Sequence, residues 1–320
     1  MFLSDKLATN SKMKKLPIII SFLLVFFAGY FVYQKKTITR LNVDIIQNNI
    51  GNFTRQKSCV KPPQFLAGMG IGQPVIIDLS QKRFKGIAFL HGKNMQQILH
   101  PKIWEQYEHF STYTLDEYGN IYLAPMPFIS IKPTTFNLQT KLYKLDSNTG
   151  KIEIWKDFVD VHPSAYNPYG INAVTYDCDD KTLWVSAIDE TSYEKQKGVI
   201  YHIDIQTRKV LQTLENIDAL TLQVIRSDKG KYLLIGGARD SSLYAIEIKK
   251  GRLTEDKERL ISLLNSNEHI RKIKIKGENH LQIETIPFTY ALIAQSGTRD
   301  RKLYHLFWDK NSSWRVNELK

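Results

Sequence analysis

The sequence predicts an all-β fold, a β-propeller of four-stranded blades, on three observations. First, one two-strand motif recurs. The segments "KLYKLDSNTGKIEIW" (141–155), "VIYHIDIQTRKVLQTL" (199–214) and "SLYAIEIKKGRLTED" (242–256) share an apolar-Tyr-x-apolar-acid core, a polar turn and a second alternating run. "KLYHLFWDKNSSWRVNEL" (302–319) repeats it with Phe307 in the acid's place, and "PVIIDLSQKRFKGIAF" (74–89) repeats it without the tyrosine. Second, four of these copies follow another hairpin whose turn is rich in Asp, Asn and Gly, the residues that tolerate tight-turn backbone angles. These inner hairpins are 112–124, 173–187, 222–237 and 271–285. Third, the acid positions Asp78, Asp146, Asp204 and Glu247 stand 68, 58 and 43 residues apart, a spacing that suits four strands per unit. Helical repeat periods are absent.

The elements follow in order. Residues 1–15 are read as a cytoplasmic N-terminus. Residues 16–34 are read as a transmembrane signal anchor, because 16–33 holds 18 residues without a charge, long enough to cross a bilayer core. Leu16, Pro17, Phe22 and Phe27 belong to this run, and Tyr33 suits the far interface. There is no small-x-small cleavage site, so the anchor is expected to stay attached. Residues 35–47 form a linker, and 48–320 the propeller. The propeller is expected outside the cytoplasm, periplasmic or extracellular, tethered by one span. Five blades are recognisable and six are expected. The first should take its inner strand from about 52–60, and a strand from 41–50 could complete the ring. The segment 91–110 does not fit the repeat and is read as an irregular or helical insertion. Its His91, His100 and His109 are spaced as unrelated surface residues.

The net charge of +12 is half accounted for by the first 40 residues, and the remainder is spread thinly. This lacks the dense basic stripe of a nucleic-acid binder, so no nucleic acid is expected as partner. Cys59 and Cys178 fit no metal spacing. They could pair in an oxidising compartment, but the preferred reading is two free thiols. Asn52 and Asn311 head glycosylation sequons. The glycines at 68, 70 and 72 join strand to strand, which is the wrong context for a dinucleotide fingerprint. No nucleophile elbow, phosphate loop or HExxH motif is present, and no catalytic residue can be named.

The segment "NPYGINAVTYDCDDKTLWVSAID" (167–189) resembles the gluconolactonase/senescence-marker-type propellers and, more loosely, the NHL-repeat and strictosidine-synthase-like ones. The blade style also resembles royal-jelly/yellow-type propellers. The resemblance to the lactonase-type family implies a divalent metal held by an asparagine that opens the inner strand and by an acid after the next strand. The acid maps onto Asp189, and the asparagine position is Tyr169. The family's first-blade glutamate has no counterpart, since Asp44 and Asp78 are the only acids between 41 and 99. The residues themselves imply no cofactor, while the resemblance admits Ca²⁺ or another divalent cation at Asp189.

In a propeller the loops between second and third strands share a face with the blade-to-blade connections, and loops on a rigid scaffold carry function. Here they vary in length, with 125–140 and 286–301 long and 238–242 short. Asn172, Asp189, Arg239, Asp240, Glu284 and Arg299 are the polar candidates for ligand binding on that face. Phe128, Phe136, Phe288 and Tyr290 could form an apolar lip for a partner protein or equally pack the long loops down. The favoured function is a membrane-anchored binding module for a protein, glycan or small molecule. The alternative is a divalent-metal-dependent lactonase or esterase. The run Asp177, Asp179, Asp180 is read as turn chemistry with a solvent-facing acidic edge, since it lacks the spacing of a calcium loop.

Overall fold

A computed structural model describes residues 43–45, 50–54, 59–79, 83–127, 136–264, 267–291, 301–309 and 313–319. The chain divides into Met1–Thr39 with Lys320, and Arg40–Leu319. The anchor expected at 16–34 lies outside the described residues. Among the described residues, no helix is long and apolar enough to cross a membrane.

The unit Arg40–Leu319 is a five-bladed β-propeller. Blade 1 holds β2 (Ile76–Asp78), β3 (Ala88–His91) and β4 (Gln97–Leu99). Blade 2 holds β5 (Phe110–Leu115), β6 (Ile121–Pro125), β7 (Lys141–Leu145) and β8 (Ile152–Asp157). Blade 3 holds β9 (Ile171–Asp177), β10 (Thr182–Ala187), β11 (Val199–Asp204) and β12 (Val210–Glu215). Blade 4 holds β13 (Ala219–Arg226), β14 (Lys231–Gly237), β15 (Ser242–Lys249) and β16 (Arg252–Leu263). Blade 5 holds β17 (His269–Gly277), β18 (His280–Ile286), β19 (Lys302–Asp309) and β20 (Ser313–Leu319). Every recurring hairpin is an antiparallel pair in one of these sheets.

The repeated acid has a local cause. The Asp146 carboxylate accepts hydrogen bonds from the backbone N–H groups of Asn148 and Thr149, both at 3.0 Å. Asp204 accepts from the backbone and hydroxyl of Thr207 at 2.6 and 2.7 Å. Each closes the turn between third and fourth strands through its own side chain.

Packing runs from blade to blade. Blades 1 and 2 share Phe89, Trp104, Phe110 and Tyr143, and blades 2 and 3 share Tyr122, Trp155, Val174 and Val185. Blades 3 and 4 share Trp184, Ile200, Leu222 and Ile235, and blades 4 and 5 share Leu234, Leu243, Ile273 and Ile283. Among the described residues, no apolar cluster joins blade 5 back to blade 1.

Four expectations are corrected. Five sheets form instead of six, because the two segments that could have supplied more are used elsewhere. The chain at 43–45, β1, adds to the outer edge of blade 4 by pairing with β16. The segment expected to be an inner strand is a strap across the tight-turn face. The Asn52 N–H donates to the Asp228 carboxylate of blade 4 and its carbonyl accepts from Asp228 N, and Phe53 does likewise with the side-chain oxygen and N–H of Asn279 of blade 5. Further on, Lys61 donates to Asp116 O of blade 2 at 3.2 Å, and Gln64 to Ser147 Oγ at 3.1 Å. The strap explains Gly119, whose φ is +87° and whose added Cβ would lie 2.6 Å from Pro62 O.

The cysteines are paired, not free. Cys59 on the strap and Cys178 at the β9–β10 turn form a disulfide with Cα atoms 6.0 Å apart. The sequon residue Asn52 commits both ends of its amide, donating to Asp228 at 2.8 Å and accepting from Asn279 at 3.0 Å. Asn311 lies outside the described residues. The insertion after β3 is irregular as expected, with two 3₁₀ turns around β4. His109, however, is buried beside β5 and is not a surface residue.

Candidate functional site

The face opposite the strap carries the β6–β7, β10–β11, β14–β15 and β18–β19 loops and the blade-to-blade connections. The inner strands reach this face through a shared device. The second residue of β5, β9 and β13 and the third of β17 is an extra one, a bulge at Ser111, Asn172, Leu220 and Arg271. These four residues link the blades. Ser111 Oγ donates to Asn172 O at 2.9 Å, and Asn172 Nδ2 donates to Ala219 O at 2.8 Å. The Arg271 guanidinium reaches Leu220 O at 2.9 Å and, across the centre, Ser111 O at 3.0 Å. Asn172 Oδ1 accepts from Ser186 at 2.8 Å, so its amide is committed at both ends.

Above this ring lies an apolar cap of Tyr169, Ile188, Leu220, Ala238 and Tyr290, with Met126 and Phe288 against it. Phe288 packs beside Tyr169, His269 and Tyr290. Phe288 and Tyr290 therefore pack the β18–β19 loop down and do not form a lip. Phe136 begins the short α-helix Phe136–Gln139, and Phe128 lies outside the described residues.

Under the loops sits a buried carboxylate, Asp218. It accepts from Thr191 Oγ1 at 2.7 Å, Gly198 N at 2.8 Å and Tyr290 Oη at 2.9 Å, and it pairs with Arg239 at 3.3 Å. Arg239 continues to Ser192 O at 2.6 Å and to Tyr193 O. Burial, then the Asp218 charge, holds the Tyr290 phenol well above its ordinary pKa, so it stays a donor.

Asp189 pins two loops together, accepting from His162 N at 2.6 Å. Burial raises the pKa of its carboxyl despite that hydrogen bond. Asn167 ties the same loops, donating to Thr191 O at 2.9 Å and to Ile188 O at 2.5 Å. Asp240 caps its own turn through Ser242 N at 3.0 Å and takes the Tyr244 hydroxyl. Glu268 gathers Thr285 at 3.2 Å with Lys302 and Tyr304.

The predicted polar set is thus brought together in part. Asn172, Asp189, Arg239 and Asp240 share the loop face and serve as its anchors. Glu284 is on β18 in an ion pair with Arg301 at 3.3 Å, away from them, and Arg299 lies outside the described residues. Sequence reasoning missed Asp218 and Glu268. The available signal was positional, an acid immediately before the first residue of an inner strand in both blade 4 and blade 5. It also missed the exposed side chains that the anchored loops present. Tyr166 is 89% exposed, Val159 77% and Tyr193 59%. Tyr166 adjoins Asn167, and Tyr193 rests edge-on against Tyr290. Among the described residues, no group of three or more His, Cys, Asp or Glu side chains is placed to hold a metal ion.

Fold and face together define a β-propeller whose loop face is rigid underneath and aromatic on top. No protein-family model and no curated protein matches the chain. Among solved structures it is similar to Kuenenia stuttgartiensis hydrazine synthase, at 10% identity and a TM-score of 0.41, over 73% of this chain and 60% of that one. It therefore spans less than two thirds of that protein. It is also similar to a glucose dehydrogenase (15% identity, TM-score 0.38, 82% of this chain and 80% of that one). A third likeness is to the AfRom2 CNH domain (11%, 0.33, 87% and 99%).

Proposed function

We propose that this protein is a membrane-tethered, extracytoplasmic binding module that engages a protein, glycan or small molecule with its loop face. The observation that carries this reading is the pairing of exposed Tyr166, Val159 and Tyr193 with loops fixed from below by Asn167, Asp189, Asp218 and Arg239. Aromatic side chains held on pre-organised loops give contact area at low entropic cost, as binding surfaces require. The Cys59–Cys178 disulfide supports an oxidising compartment, and the uncharged run at 16–33 supports the tether.

The rival reading, a metal-dependent lactonase or esterase, would use Asp189 as a ligand. Asp189 already holds His162 N, and Tyr169, at the family's asparagine position, is buried in the cap. A photo-crosslinking residue at Tyr166 or Tyr193, in the full-length protein in its native membrane, should yield discrete adducts. The same residue at Lys229 on the strapped face should yield none. Equal labelling from both faces, or none from the loop face, would contradict the proposal.

A further inference from the structure

We infer that the open side of blade 5 is a docking strip for a linear phosphate polymer. Strand β17 alternates Ile273 and Ile275, which pack toward blade 4, with Lys272, Lys274 and Lys276, all exposed on the opposite side. Alternate residues on a strand stand about 7 Å apart, so the three ammonium groups form a straight row. An inner propeller strand ordinarily has a neighbouring blade on each side. Here the side that turns toward blade 1 carries lysines, and among the described residues no apolar cluster covers it.

The charge on this strip is offset from within only in part, by Glu284 across the sheet from Lys272. None of the three lysines has an ion-pair partner among the described residues. The acid on the adjacent strand, Glu284, is engaged by Arg301 at 3.3 Å. Enclosure by protein atoms, then the charges of Lys274, Arg271 and Arg301, holds the Lys272 ammonium below its ordinary pKa, although solvent reaches the side chain. Like charges gathered in a row set up a positive potential that an anion relieves.

Three features narrow the partner. Lysines act as point charges that suit phosphate oxygens, without the fork by which arginine reads planar carboxylates. The lysines stand in single file along one strand, which suits a slender chain better than a flat bilayer surface. Phe307, the aromatic ring on this side of the sheet, is stacked under His280 with centroids 4.3 Å apart, and His280 is bonded to His305 at 2.7 Å. These rings are half-buried against one another, so what the strip offers along its length is charge and not a ladder of stacking platforms.

The test uses the full-length protein in detergent with long-chain inorganic polyphosphate as the probe. The variant Lys272→Gln/Lys274→Gln/Lys276→Gln changes only exposed groups. Its control, Lys151→Gln/Lys209→Gln/Lys250→Gln, removes the same charge from turns of blades 2, 3 and 4. The wild type and the control should bind polyphosphate alike. The strip variant should bind at least tenfold more weakly, and its slope of log K against log salt should be shallower by about 2, at roughly 0.7 per lost phosphate contact. Absence of wild-type binding, or equal weakening in both variants, would overturn the inference. So would strip-dependent binding to anionic lipid vesicles without binding to polyphosphate.

Discussion

Lys231 carries its ammonium into a seam between blades 3 and 4 where its side chain is only 7% exposed. Burial opposes its charge, but hydrogen bonds to Asp177 at 2.8 Å and Asp180 at 2.6 Å outweigh that and raise its pKa. Arg226 of the same blade takes Asp179 at 2.5 Å. Lys231→Met should therefore leave buried Asp177 unmatched and cost about 3–5 kcal/mol in urea denaturation. The acidic run was legible as turn chemistry, and Asp177 does accept from Asp179 N at 3.1 Å. Its solvent-facing edge was not borne out for Asp177, which is buried. Its partner comes from the next blade, 54 residues away, and no local pattern encodes that.

Histidine 202 supplies a second residue-scale test. It is stacked on Trp184 at 3.8 Å and bonded to Thr182, and burial depresses its pKa from 6.5 to about 4. The unfolded chain binds this proton near pH 6.5, and the folded protein does so only near 4. The stability due to neutral His202 is thus complete above pH 6.5 and is lost as pH falls toward 4. His202→Gln should flatten the pH dependence of unfolding across that window, as read from urea midpoints at matched ionic strength.

At the scale of elements, the hairpins were legible because alternation and turn residues are local signals, and β7–β8, β11–β12, β15–β16 and β19–β20 all form where the repeat places them. The strap was not legible, because lining up 65–79 with 233–248 places an inner strand at about 52–60. Only its long-range bonds to Asp228, Asn279 and Asp116 show that it crosses the turns. Its disulfide closes a loop of sequence separation 119, for which chain-entropy arguments give about 4–5 kcal/mol. Cys59→Ser/Cys178→Ser should lose stability of that order in guanidinium melts and become cleavable by protease on the strap near Cys59. The bulge ring was equally hidden, since one extra residue per strand leaves no compositional mark. Close approach did leave one in Gly236, where an added Cβ would stand 2.3 Å from Ile270 O. Gly236→Ala should cost about 1–3 kcal/mol by overpacking the seam between blades 4 and 5.

At the largest scale, the four apolar seams, the strap and the capped loop face of the propeller commit its conspicuous acids to its own architecture. The acid, arginine and asparagine residues picked out on the loop face were legible as polar loop positions. Their bonding was not, because Asn172, Asp189 and Arg239 close contacts between segments distant in sequence, while Asp240 caps its own turn. The central claim is that this face binds through its exposed aromatic side chains and that Asp189 is an anchor, not a metal ligand. The most direct measurement is the thermal midpoint of wild type and Asp189→Asn with and without millimolar Ca²⁺. The account predicts no Ca²⁺-dependent shift in either protein. A wild-type shift matching the mass-action stabilisation, about 2.7 kcal/mol at a hundredfold excess over the dissociation constant, and absent in Asp189→Asn, would contradict it.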